Sequence, residues 1–394
     1  MSKNPDHHHK GWKLPSLVGW RSFAFPLLLL FIALASGCEK DKDLDKDQTS
    51  SDGAFDRKAM LENYGENLII PGYKNLKASV GDLESAASDF TSDPKSSKLQ
   101  TLQDRLVEAY KDWQTVSVYE FGPAKDVALR SFSNTFPTDT GKIEDNIATG
   151  SYDLSDFGTE AEKGFPALDY LLFNPYRGDS AVVNAFSSDA NASQRQDYLM
   201  DVIADLKGNA QGVLQKWKPS GGDHLSTFVN ATGTDVGSSL GLLVNELNYD
   251  LEIIKNAEIG IPLGKKSMGN PKPKKCQAYY GVRSKELAIT HLKSLRDCYL
   301  GKGASGDLRG LDDNLEHIDA EISSGPLHKA IRDQFSKTLD QLKKIPAPLS
   351  EAVVNSSSSV EDAYTELKKL VALLKSDMPS ELGVQITYQD NDGD

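Results

Sequence analysis

Residues 164–173 read Gly-Phe-Pro-Ala-Leu-Asp-Tyr-Leu-Leu-Phe. Proline fixes its own φ and lacks an N–H, so Pro166 suits only the first turn of a helix. Asp169, three positions on, then shares a face with Pro166 in a short, mostly apolar helix. An acid in so apolar a segment needs a partner. The stretch lies near the middle of the chain, where the two halves of an all-helical protein meet. It separates two readings of the whole, a metal-dependent hydrolase and a binding protein.

On either side, apolar residues recur at helical spacing. Tyr73, Leu76, Val80, Leu83, Ala87 and Phe90 mark one helix, and Leu99, Leu102, Leu106, Tyr110, Trp113 and Val116 the next. Phe55, Ala59 and Tyr64 mark an earlier segment, with Pro71-Gly72 as a kink or break after it. Residues 121–176 are irregularly punctuated, and a long broken segment of this kind is more often functional than idle. Helical spacing resumes with Tyr198 to Trp217, then Val236 to Ile254, with Thr234 as its cap and Asp235 in its first turn. Further stripes run through Leu287, His291 and Leu295, through Leu308 to Ile322, through Leu327 to Leu342, and through Val360 to Leu374. Only residues 383–388 alternate, as a short extended segment against one bundle.

At 394 residues the chain exceeds one ordinary helical core. The expected fold is all-α, with two similar four-helix-bundle domains packed against each other, at 54–220 and 234–394, joined by a linker at 221–233. The net charge of −13 argues against a nucleic-acid binder, because there is no basic excess to displace counterions from phosphates.

Lys3, Lys10, Lys13 and Arg21 precede an apolar run over 23–35 and then Ala35-Ser36-Gly37-Cys38, the order of a secretory signal peptide. The cysteine after small residues resembles a bacterial lipoprotein signal. It implies a leader at 1–37, lipidation at Cys38, and a membrane anchor in the bacterial envelope. Residues 38–53 alternate lysine and aspartate without apolar periodicity and read as a disordered tether. The helix containing Cys298 keeps it from Cys276, so both are expected as free thiols.

No HExxH, P-loop, dinucleotide glycine motif or GxSxG elbow is present. Oxygen donors are better supplied. Asp169, Asp139, Glu144, Tyr119, Tyr170 and Tyr176 cluster around the irregular segment, and hard cations such as iron(III) or calcium prefer carboxylate and phenolate oxygens. The competing assignment has Asp139 capping the next helix, Asp169 pairing with a cation such as Arg177, and the tyrosines packed with satisfied hydroxyls.

The 164–173 segment, the lipoprotein signal and the helical plan together resemble the imelysin-like family of exported bacterial proteins, whose hallmark is Gly-x-His-x-x-Glu. Gly164, Pro166 and Asp169 align with it in frame. Trp113-Gln114 leading to Phe121-Gly122-Pro123, Asn134 to Asp139, and Leu243-Val244-Asn245 leading to Ile261-Pro262-Leu263-Gly264 are also similar to that family. The resemblance implies two bundles with a site between them and a role in iron uptake. The family was once grouped with metallopeptidases. Here Pro166 replaces the motif histidine and has no group to bind metal, and Asp169 shortens the glutamate. The expected protein is a lipid-anchored, non-enzymatic binder of an iron species or another small ligand, facing the periplasm or the surface, with an outer-membrane uptake system as its partner. Asp169 is the expected metal or ligand contact, with Tyr119, Asp139 and Ser284 as neighbours. The rival readings are a degenerate metallopeptidase and a metal-independent carbohydrate-binding or structural lipoprotein.

Overall fold

Burying the apolar stripes sorts the long helices into two groups. The first holds α1 (Ile70–Ser92), α2 (Ser96–Val116), α3 (Gly164–Leu172) and α4 (Ala192–Trp217). The second holds α5 (Ser239–Glu252), α6 (Ser284–Tyr299), α7 (Leu327–Lys344) and α8 (Ser357–Ala372). The fold is all-α, two helical bundles packed against each other, with α2 against α6 at the seam. The computed structural model describes residues 53–173 and 178–388, which lie in one compact unit. Cys38, Tyr176 and Arg177 lie outside the described residues. Cys276 and Cys298 are buried and free, as expected.

The stripe residues named above occupy the core: Tyr73, Leu83, Phe90, Trp113, Trp217, Leu247, Leu295 and Phe335 are all buried. Pro71 does not break its helix. The chain runs helically from Arg57–Asn63 through a π-helical segment, Tyr64–Ile69, into α1. A proline supplies no N–H to the preceding turn, and a widened π turn absorbs that missing bond. The same device precedes Pro262, in Ile253–Gly260, and Pro379, in Leu373–Asp377.

The helix expected from Val236 begins only at Ser239, with Ser238 and not Thr234 as its cap, and other stretches hold elements that the spacing did not announce. Residues 221–233 contain a helix, His224–Asn230, and its Phe228 stacks on Phe121 with ring centroids 5.6 Å apart. The stripe from Leu308 to Ile322 is helical only over Leu311–His317, because two short hairpins flank it, Lys302–Gly303 with Gly306–Asp307 and Glu321–Ile322 with Gly325–Pro326. The tail is held against α5, where Asn245 Oδ1 accepts from the Thr387 N–H at 2.7 Å and Asn245 Nδ2 donates to Gln385 O at 3.0 Å.

Polar bonds stitch the groups together where no apolar pattern could announce them. Asn63 Nδ2 donates to Gly301 O at 2.7 Å and to Arg309 O at 2.8 Å, and the Tyr64 hydroxyl donates to Cys298 O at 2.5 Å. Asn63→Ala leaves two carbonyls without their donor and is expected to cost about 2–4 kcal/mol. Urea denaturation checks this, with the midpoint falling and the slope unchanged; a loss under about 0.5 kcal/mol contradicts the assignment.

Candidate functional site

Gly164 opens α3 at φ 73°, and a Cβ there would lie 2.4 Å from Ser133 O and 2.7 Å from Phe132 O. Only glycine allows that approach. Asp169, one turn beyond Pro166, is 3% exposed, and its two carboxylate oxygens accept the backbone N–H groups of Tyr280 at 2.8 Å and Gly281 at 2.9 Å. A Cβ on Gly281 would come within 2.6 Å of Asp169 Oδ1, so a glycine is required there too. Burial pushes the Asp169 carboxyl up to about 7, although both amides pull the other way. Asp169 therefore holds the 276–284 loop, and among the described residues no group of three or more His, Cys, Asp or Glu side chains is placed to hold a metal ion.

The other expected site residues do not converge on it. Asp139 is exposed and caps the helix Thr140–Thr149, accepting from Lys142 N–H at 3.0 Å. This is the capping role of the competing assignment. Ser284 starts α6 and bonds the thiol of Cys276, which lines a cleft of only about 20 Å³ together with Asp169, Pro166 and Thr138. Tyr119 lies elsewhere, bonded to the Cys298 thiol, beneath a groove of about 380 Å³ between α1, α2 and α6. Glu144 is taken by Arg195 at 2.6 Å and by the Tyr170 hydroxyl at 2.7 Å.

The chemistry concentrates instead at residues the sequence reading left in helix stripes. His291, on α6, lies between two buried carboxylates, with Nε2 2.7 Å from Asp250 Oδ2 on α5 and Nδ1 2.8 Å from Glu258 Oε1 on the π segment. The Ser117 hydroxyl donates to Asp250 Oδ2 at 2.7 Å and sits 3.0 Å from His291 Nε2. Arg130 donates to Glu246 at 2.9 Å and to Ser117 O at 2.8 Å, lies 3.6 Å from Asp250 Oδ1, and receives Glu120 on its own N–H at 3.0 Å. Four carboxylates thus face two cations in the seam. Beside them opens a cavity of about 240 Å³, walled by Trp113, Arg130, Asn134, Phe136, Asp250 and His291 among others. The 380 Å³ groove is larger, but its wall carries no comparable set of buried ionised groups, so the smaller cavity is the stronger candidate site.

Electrostatics fixes the protonation of this cluster. Burial alone draws an imidazole down, but the attractions of Asp250 and Glu258 outweigh it and raise His291 to about 10. Burial pushes Asp250 up, and His291 and Arg130 overcome it, holding the carboxyl below its ordinary value. Glu120 and Glu246 are raised by burial despite Arg130. The spacing of Ser117, His291 and Glu258 has the outline of a Ser-His-Glu triad. An imidazolium that donates both N–H groups has no lone pair left to take the serine proton.

Sequence reasoning missed Ser117, Arg130, Glu246, Asp250 and Glu258 as site residues. One signal was available: His291 interrupts the Leu287–Leu295 stripe, and Glu246 and Asp250 are spaced i, i+4 beside Leu247 and Leu251.

The Asp169 carboxyl gives a pH test. Its folded value, about 7, exceeds the ordinary 3.8, so its protonated form is the stabilising one, fully present below pH 3.8 and lost as pH rises through 7. Asp169→Asn is less stable because one N–H loses its acceptor, but its deficit relative to wild type is expected to shrink between pH 4 and 7 by up to about 1.4 kcal/mol per pH unit. Parallel denaturation curves across that range measure it, and a constant deficit contradicts it.

Comparison with known proteins agrees with this architecture. The imelysin family model, peptidase family M75, matches residues 69–376. A protein of Parabacteroides distasonis described as an iron-regulated protein A precursor superposes with a TM-score of 0.69 at 16% identity, covering 84% of this chain and 97% of its own. An imelysin-like protein from Psychrobacter arcticus superposes with a TM-score of 0.64 at 18% identity, again covering 84% of this chain and 97% of its own. No curated protein matches the chain. With the family model spanning most of its length and its bundles in the arrangement of these structures, the chain belongs to the imelysin family.

Proposed function

We propose that this chain is a non-catalytic binding protein of the bacterial cell envelope, lipid-anchored at Cys38, that takes an iron species as cargo for uptake. The observation that carries the reading is His291, held as an imidazolium by Asp250 and Glu258 beside a 240 Å³ cavity between the bundles. A preorganised, charged wall suits recognition of a polar ligand, and the locked histidine does not suit proton transfer. The iron-regulated neighbour from Parabacteroides supports the choice of cargo. With no three-ligand metal group among the described residues, the cargo fits a ferric chelate that brings its own ligands better than a bare ion. Among those residues no helix is long and apolar enough to cross a membrane. In this reading the lipid at Cys38 supplies the attachment, and an outer-membrane uptake system takes the cargo onward.

Calorimetric titration of the mature chain is expected to show saturable binding of a ferric chelate such as ferric citrate that weakens in Arg130→Gln; absence of any ferric binding removes the iron reading. Cys38→Ser is expected to move the protein from the membrane to the soluble fraction, and unchanged fractionation removes the anchor. The outline of Ser117, His291 and Glu258 keeps a hydrolase as the second reading. Peptide cleavage that disappears in Ser117→Ala establishes that alternative; no cleavage is expected.

A further inference from the structure

The connection that leads from the π segment into α6 reads Lys-Lys-Ser-Met-Gly-Asn-Pro-Lys-Pro-Lys-Lys over residues 265–275, five lysines and no acid in a chain of net charge −13. All five lysines are exposed. Lys265 is set against Glu361 at 2.6 Å, but Lys272, Lys274 and Lys275 make no ion pair among the described residues. The same end of the second bundle carries the exposed Lys344, because Lys285 on α6 donates to the carbonyls of Lys343 and Ile345 at the end of α7.

The backbone presents this segment in a fixed turn. Gly264 adopts φ 98°, and a Cβ there would lie 2.8 Å from the backbone of Asn270. The Gly269 N–H donates to Gly264 O at 3.0 Å, the Ser267 hydroxyl to Asn270 O at 2.6 Å, and the Lys272 N–H to Pro262 O at 2.8 Å. At the tip Met268 is fully exposed and holds φ 53°, a left-handed conformation that disfavours a residue with a Cβ. Val282, half-exposed near the end of the same connection, also holds φ 53°. The turn therefore sets an apolar side chain in water, among cations, from a backbone conformation that the residue does not prefer.

The composition restricts the partner. Protein interfaces concentrate aromatic residues and arginine and are depleted of lysine. Residues 265–275 hold no aromatic ring and no arginine, and the cleft that Lys274 borders has room for only about 20 Å³. An ammonium on a flexible stem meets phosphates wherever they lie, which suits a surface without fixed shape. An unbranched apolar chain among such cations can enter a headgroup layer while the charges stay at the level of the phosphates.

We infer that the 265–275 turn docks this end of the second bundle on an anionic phospholipid bilayer, with its lysines on headgroup phosphates and Met268 in the headgroup layer. The inference goes beyond the ligand reading and uses no residue of the cavity. It gives the protein a membrane contact separate from the lipid at Cys38.

The test removes that lipid. The mature chain carrying Cys38→Ser is sedimented with vesicles of equal parts phosphatidylglycerol and phosphatidylcholine, and with vesicles of phosphatidylcholine alone. Binding is expected to the anionic vesicles and at least about twentyfold weaker to the neutral ones, and it is lost at about 1 M salt, where the Debye length is about 3 Å. One lysine near an anionic surface contributes about fivefold, so Lys272→Gln, Lys274→Gln and Lys275→Gln together are expected to weaken binding about a hundredfold. Lys58→Gln, Lys329→Gln and Lys337→Gln remove the same charge from other exposed positions and are expected to weaken it less than about threefold. Met268→Ser is expected to cost about tenfold. All of these side chains are exposed, so melting temperature and helix signal are expected to be retained. Equal binding to both vesicles, or equal losses in the two triple variants, overturns the inference. Binding to polyglutamate with none to vesicles overturns it in favour of an acidic polypeptide partner, and binding to neither overturns it outright.

Discussion

A charged imidazole cannot stay buried between two helical bundles unless counter-charges meet it at both nitrogens. Asp250 and Glu258 do so at 2.7 and 2.8 Å, and the placement of the surrounding helices follows from that pairing. α5 must bring Asp250 to one side of the ring, the π segment after it must bring Glu258 to the other, and α6 must enter between them. Removing one member of such a buried set strands the others at a cost of about 3–5 kcal/mol, whereas an intact set fixes registry more than it adds stability. The excess of acid in the cluster is tempered by the upward shifts of Glu120 and Glu246.

The central motif supports this arrangement from a distance. Gly164 lets α3 press against the carbonyls of Phe132 and Ser133, immediately before Asn134, which the Tyr110 hydroxyl anchors at 2.5 Å. Asn134 and Phe136 then form part of the cavity wall. At the other end of the motif, Asp169 ties the backbone at Tyr280 and Gly281, and this loop leads directly into α6 and His291. A motif that suggests metal chemistry in one dimension thus acts as a brace between two parts of the site. Histidine is dispensable at Pro166 for that task.

The helices were legible because apolar spacing reports burial, and burial is what assembles bundles. The stripes through Tyr73 to Phe90 and through Leu327 to Leu342 are core faces. Two kinds of feature were hidden. Helices that continue through Pro71 use a π turn, which leaves no mark in propensity. The ionic cluster draws Ser117, Arg130, Asp250, Glu258 and His291 from sequence separations of up to 174 residues, and no local pattern encodes a meeting of that kind. Asp139 was ambiguous for the opposite reason, since a capping acid before a helix and a ligating acid look alike until the next N–H groups are in place.

The π segment Ile253–Gly260 also makes the chain's length locally adjustable. A π turn is in effect an α-helix carrying one surplus residue, and successive residues in a helix are offset by about 100°. Asp250 lies before this surplus and Glu258 lies within the widened stretch. Deleting one residue between them would remove the surplus and let the helix return to regular winding with Glu258 near its present phase, whereas the same deletion in a regular helix carries every later residue about 100° around the axis. Point substitutions along the outer face of the segment leave that phase untouched. Among relatives of this chain, a one-residue gap should therefore be better tolerated in this stretch than in the regular turns on either side of it.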